Sequence, residues 1–145
     1  MSIVVITGPR ACAERATLAD DAMFRLWERA QAAGVDLLWR PCSDFNELTG
    51  HLGRSPSDHA DLVLLDVDAN DVPVQDVAPL RDALTSLDVP YIEVHDHSDA
   101  SDASALVPGH PSLVSVIVPG NAMAGYDMAL SIGLRYLADE TRLAA

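Results

Sequence analysis

Five short apolar runs alternate with helix-patterned segments along this 145-residue chain, and that alternation constrains the fold most. Ser2–Thr7 reads as a buried strand, ended by Gly8-Pro9. Thr17–Gly34 reads as a helix, with Thr17 as its cap and Asp20 and Asp21 in its first turn. Met23, Leu26, Trp27, Ala30 and Ala33 form its apolar stripe, and Gly34 is a natural stop. Val35–Arg40 is a second strand. Ser43 then caps a helix carrying Phe45, Leu48 and Leu52, which closes at Gly53. Asp61–Val67 is a third strand. Asp76 caps a third helix with Leu80, Leu84 and Leu87 on one face, which puts Pro79 in the first turn. Val89–His95 is a fourth strand, followed by a polar loop, Asp96–Pro111. Leu113–Val118 is a fifth strand. Asn121 caps a last helix with the stripe Met123, Tyr126, Leu130, Leu134 and Leu137.

Strict alternation of this kind, with continuous apolar strands, predicts a parallel sheet covered by helices on both faces. The expected class is α/β: a flavodoxin-like three-layer αβα domain spanning residues 1–145, with a five-stranded parallel sheet of order 2-1-3-4-5. Ligands of such sheets bind beyond the carboxyl ends of the strands. Four loops therefore carry the functional expectation: Gly8–Ala16, Asp66–Asp76, His95–Pro111 and Pro119–Ala124.

Composition narrows the chemistry. Apolar residues make up 49% of the chain, enough for a packed core. No stretch approaches the roughly 18–20 apolar residues that span a bilayer. The N-terminus enters a strand without a basic lead-in or cleavage site, so a cytoplasmic location is expected. The net charge is −13, from 22 acidic and nine basic residues. That balance disfavours nucleic acid and anionic membrane surfaces as partners. All nine basic residues are arginine, so no side chain can form a Schiff base with a carbonyl substrate. Cys12 and Cys42 are not in a Cys-x-x-Cys pair and read as incidental thiols rather than a disulfide or zinc site.

The first loop has neither a Gly-x-Gly-x-x-Gly motif nor the Gly-Lys-Ser/Thr of a P-loop, so no nucleotide cofactor is expected. Glu93, His95, His97 and Asp99 occupy every second position, and Asp66 and Asp68 end the adjacent strand. Imidazole with carboxylate is ligand chemistry for a divalent metal. The spacing is not diagnostic, and Asp96–Asp102 reads as a solvated acidic loop; no metal is expected. Glu93 and His95 stand apart from this. A carboxylate near the end of an apolar strand needs a partner. An imidazole beside it can be oriented and its pKa raised, which suits acid work near neutral pH.

These residues lie in a pattern that resembles the type II 3-dehydroquinate dehydratases over nearly the whole chain. It includes Ile6-Thr7-Gly8-Pro9 and Leu80-Arg81-Asp82-Ala83. Its most specific parts are Pro90-Tyr91-Ile92-Glu93-Val94-His95 and Gly125-Tyr126-Asp127-Met128-Ala129-Leu130. The resemblance implies a homo-oligomer built from trimers, up to a dodecamer, acting on a small anionic organic acid. It also implies acid–base catalysis without a Schiff base. A loop tyrosinate removes a proton next to a ketone, an asparagine and a water stabilise the enolate, and a histidine held by a glutamate protonates the departing hydroxyl.

His95 matches the acid histidine and Glu93 its orienting glutamate. Arg10 stands where the family has the enolate-stabilising asparagine. The lid stretch, Ala11–Ala16, retains Arg15 but has no tyrosine. The Asn-x-Gly motif after the third strand reads Asp66-Val67-Asp68-Ala69-Asn70-Asp71, and the family's histidine there falls near Gln75. The hydroxyl-binding Ser-Asn reads His97-Ser98. The expected catalytic group is therefore His95, Glu93 and Arg10, with Arg15, Asp66, Asp68, Gln75, His97 and Ser98 binding substrate. Losing a positioned base removes about 10²–10⁴-fold of rate. The expectation is thus a diverged member, doing lyase or isomerase chemistry on a small cyclic hydroxy or keto acid. A non-catalytic paralogue with a binding role and a genuine dehydratase with a rearranged site are the alternatives.

Overall fold

The structure, a computed structural model, describes residues 1–10, 20–54, 59–106 and 108–144. The expected Thr17 cap, Cys12 and Arg15 lie outside the described residues. Five strands form one parallel sheet: β1 (Ser2–Thr7), β2 (Asp36–Pro41), β3 (Leu62–Asp66), β4 (Tyr91–His95) and β5 (Ser115–Ile117). Their order is β2-β1-β3-β4-β5, as the alternation predicts. Among the described residues three α-helices connect successive strands, α1 (Asp20–Ala32), α2 (Phe45–Arg54) and α3 (Val74–Thr85), and a fourth, α4 (Ala122–Ala144), follows β5.

The period of two along each strand divides the core into two layers. Val4, Ile6, Val63, Leu65 and Tyr91 pack with Leu48 and Leu52 of α2 and Leu80 and Leu84 of α3. Ile3, Val5, Leu62, Leu64, Ile92 and Val94 pack with Leu26 and Ala30 of α1 and Tyr126, Leu130 and Leu137 of α4. Burying each such aliphatic side chain is worth about 1.5–3 kcal/mol. The helices on opposite faces are therefore held by the same three central strands.

Several ends differ from expectation. Asp44, not Ser43, caps α2, since its carboxylate accepts the Glu47 amide at 2.7 Å. Glu47 reaches back instead to the amide and hydroxyl of Ser43. This capping box is shifted by one residue, because Phe45 has to begin the helix to reach the core. Asp76 does not cap α3. That helix starts three residues earlier, at Val74 behind Pro73, and Asp76 sits in its first turn. Pro79 is consequently inside the helix rather than in its first turn, where it removes one backbone bond. Asn121 caps α4 as expected, accepting the Ala124 amide at 3.0 Å. Trp27 of α1 is not core: it is 44% exposed and stacks on the exposed Phe24. Gly34 closes α1 at φ +75. Its amide and that of Val35 return to the carbonyls of Gln31 and Ala30, the Schellman pattern. Among the described residues no helix is long and apolar enough to cross a membrane.

Candidate functional site

The carboxyl ends of β1, β3 and β4 line a cleft open to solvent. Gly8, Pro9 and Arg10 follow β1; Asp66, Val67, Asp68 and Asp71 follow β3; His95, Asp96 and His97 follow β4; Phe45 of α2 closes one side. The parallel register makes this grouping. Thr7 lies opposite Asp66, and Leu65 opposite Glu93, so the three strand ends stop at nearly the same level. The Gly8 amide continues the ladder to the Asp66 carbonyl at 2.9 Å. A Cβ at Gly8 would stand 3.1 Å from Val67 Cγ2, so a side chain there would press on the cleft wall.

His95 is 4% exposed and Glu93 2%. Both point to the α2–α3 face, being two residues apart on one strand. His95 Nε2 is 3.6 Å from Glu93 Oε1, an ion-pair contact slightly long for a hydrogen bond, and Nε2 has no hydrogen-bond partner. Burial by itself pulls the imidazole pKa down. The polar contact with Glu93, and the charges of Glu93, Asp66 and Asp68, outweigh it and hold the pKa above its ordinary value of 6.5. Glu93 also accepts from Ser115 Oγ at 3.3 Å, and the same hydroxyl lies 3.5 Å from Asp102. A hydroxyl has one proton, so it serves one of these carboxylates at a time.

Arg10 extends over the opposite wall, 3.5 Å from Asp71 and 3.7 Å from Asp68. Asp68 is a hub. One of its oxygens accepts the Asn70 and Ser101 amides at 2.9 and 3.0 Å. The other faces Arg10 and, at 3.6 Å, His97. His97 also meets Asp99 at 3.1 Å and Asp96 at 3.9 Å. The Asp66 carboxyl points to the other sheet face and accepts the Tyr126 hydroxyl.

The structure thus brings together six of the expected residues: His95, Glu93, Arg10, Asp66, Asp68 and His97. Gln75 and Ser98 are exposed and stand outside the cleft lining. Gln75 is carried away because α3 begins at Val74, and Ser98 because the chain turns outward after His97. Glu93, His95, His97 and Asp99 do not converge; among the described residues no three His, Cys, Asp or Glu side chains could hold a metal. Asp71, Asp96, Ser115 and Tyr126 were not anticipated as site residues. Ser115 had a signal, a lone hydroxyl opening β5 in register with Glu93. Tyr126 was marked by the helix stripe and the Gly125-Tyr126 motif, but its pairing with Asp66, 60 positions away, is reached only by packing.

A five-stranded parallel sheet of this order, with its cleft at the carboxyl edge, defines a flavodoxin-like α/β protein. Within that class the chain has the type II dehydroquinase fold. It is similar to the type II dehydroquinase of Propionibacterium acnes, with 26% identity, 92% of this chain and 98% of that one covered, and a TM-score of 0.68. The type II dehydroquinase of Butyrivibrio crossotus shares 17% identity over 93% and 97%, with a TM-score of 0.69. A 3-dehydroquinate dehydratase-like protein from Bifidobacterium longum shares 17% over 94% and 98%, with a TM-score of 0.67. No protein-family model and no curated protein matches the sequence.

Proposed function

We propose that this chain is a diverged dehydroquinase-like protein whose cleft carries out acid–base chemistry of the lyase or isomerase kind on a small, cyclic, hydroxylated carbonyl compound. The observation that carries this reading is the buried His95 lining the cleft with the buried Glu93 beside it, 3.6 Å away. His95 would give a proton to a departing hydroxyl or take one from beside the carbonyl. Glu93 would hold the ring and stabilise its charged form. Asp68, whose second oxygen faces Arg10 and His97 in the cleft, is the carboxyl placed to be the second proton-transfer group, since the Asp66 carboxyl is turned to Tyr126. Arg10 would face the carbonyl oxygen as charge develops on it, after loosening from Asp71.

A cytoplasmic homo-oligomer built from trimers is the assembly this likeness suggests, and sedimentation of the purified chain measures its size. The chemistry is tested by incubating small cyclic hydroxyketones in D₂O and following exchange and dehydration by NMR. The expected result is turnover that falls by at least about 10²-fold in His95→Gln. Turnover unchanged by that substitution would sink the reading.

A further inference from the structure

We infer that the ligand of this cleft is an uncharged polyhydroxylated carbonyl compound, not an acid, an inference that rests on the reading of the cleft given above. Three carboxyls face it, those of Asp68, Asp71 and Asp96, while Asp66 lines it with its carboxyl turned to Tyr126. Among the described lining residues only Arg10, His95 and His97 can carry positive charge. Each already faces carboxylates. Arg10 meets Asp68 and Asp71, His97 meets Asp68, Asp96 and Asp99, and His95 meets Glu93. Even with both imidazoles protonated, the described lining and Glu93 behind it hold more negative than positive groups.

A carboxylate ligand entering here would meet like charge on several sides. To reach Arg10 it would compete with Asp68 and Asp71, which are fixed to the same wall. Hydroxyl groups meet no such penalty. They donate to carboxylate oxygens, and these are charge-assisted bonds. The half-exposed cleft wall is thus rich in acceptors, while its floor presents His95, 4% exposed, with Nε2 lacking a hydrogen-bond partner. A polyol bearing a carbonyl matches that division, with hydroxyls toward the aspartates and the reacting oxygen toward His95 and Arg10.

The test compares a cyclohexane polyol carboxylate with its primary carboxamide, which has the same shape and hydroxyls. Binding to the full chain is followed by the His95 ring resonance in NMR and by calorimetry. The carboxamide is expected to bind roughly tenfold or more tightly at low ionic strength, with the gap narrowing as salt screens the repulsion. Asp71→Asn, on the exposed rim, is expected to shift binding toward the carboxylate, so that the gap between the two compounds narrows. Equal or tighter binding of the carboxylate would overturn the inference alone, since the cleft would still be a ligand site. Equal effects of Asp71→Asn on both compounds would do the same. If neither compound shifts His95, the cleft loses its standing as the site and the inference fails with it.

Discussion

At 2% exposure Glu93 has almost no water to solvate its charge, and its stability depends on the His95 ring and the Ser115 hydroxyl. The same dependence sets a pH signature. His95 has a folded-state pKa above 6.5. The stability it contributes is therefore complete below the unfolded value and is lost as pH rises through the raised folded value. Denaturation followed across that window should show a fall in stability that is absent in His95→Gln. A wild-type profile identical to the variant's would refute it. Tyr126→Phe removes the donor to the buried Asp66 carboxyl and should cost about 1–3 kcal/mol, read from urea unfolding.

The elements are positioned by a few end residues and close approaches. Asp44→Ala should destabilise α2 by roughly 0.5–2 kcal/mol, and Ser43→Ala by less, because Asp44 holds the Glu47 amide. Equal losses would return the cap to Ser43. On α4, Gly133 lies against β3, where an added Cβ would stand 2.6 Å from Leu62 Cδ2. Leu62 is fully buried and has little room to yield. Gly133→Ala should therefore lower stability by about 1–3 kcal/mol in chemical denaturation, despite alanine's better helix propensity.

For the whole molecule, charge is the dominant surface property. A net charge of −13 over 145 residues makes the compact state repel itself. The melting temperature should rise as sodium chloride is increased from low ionic strength, since screening weakens that repulsion. A fall over the same range would mean that ion pairs such as Arg29–Asp127 outweigh it. At this scale the sequence was most legible, because strand–helix alternation and the burial of both sheet faces leave few arrangements. The cleft was legible where it depended on strand ends: His95, Glu93, Asp66 and Asp68 follow from the carboxyl-edge rule. It was not legible where it depended on where helices start. Val74 begins α3 behind Pro73 and takes Gln75 out of reach, and only the packing of α4 sets Tyr126 against Asp66. The surplus of carboxyls in the cleft also emerged only in three dimensions, since the loops after β1, β3 and β4 meet only in the fold.

The account turns on Glu93 and His95 acting as one proton-holding unit. The most direct measurement is the ring pKa of His95, by NMR titration of the wild type and of Glu93→Gln. The predicted result is a wild-type value above 6.5 that drops clearly in the variant, where burial is left to act without the glutamate's charge. A wild-type value at or below 6.5, or one that Glu93→Gln leaves in place, would contradict it.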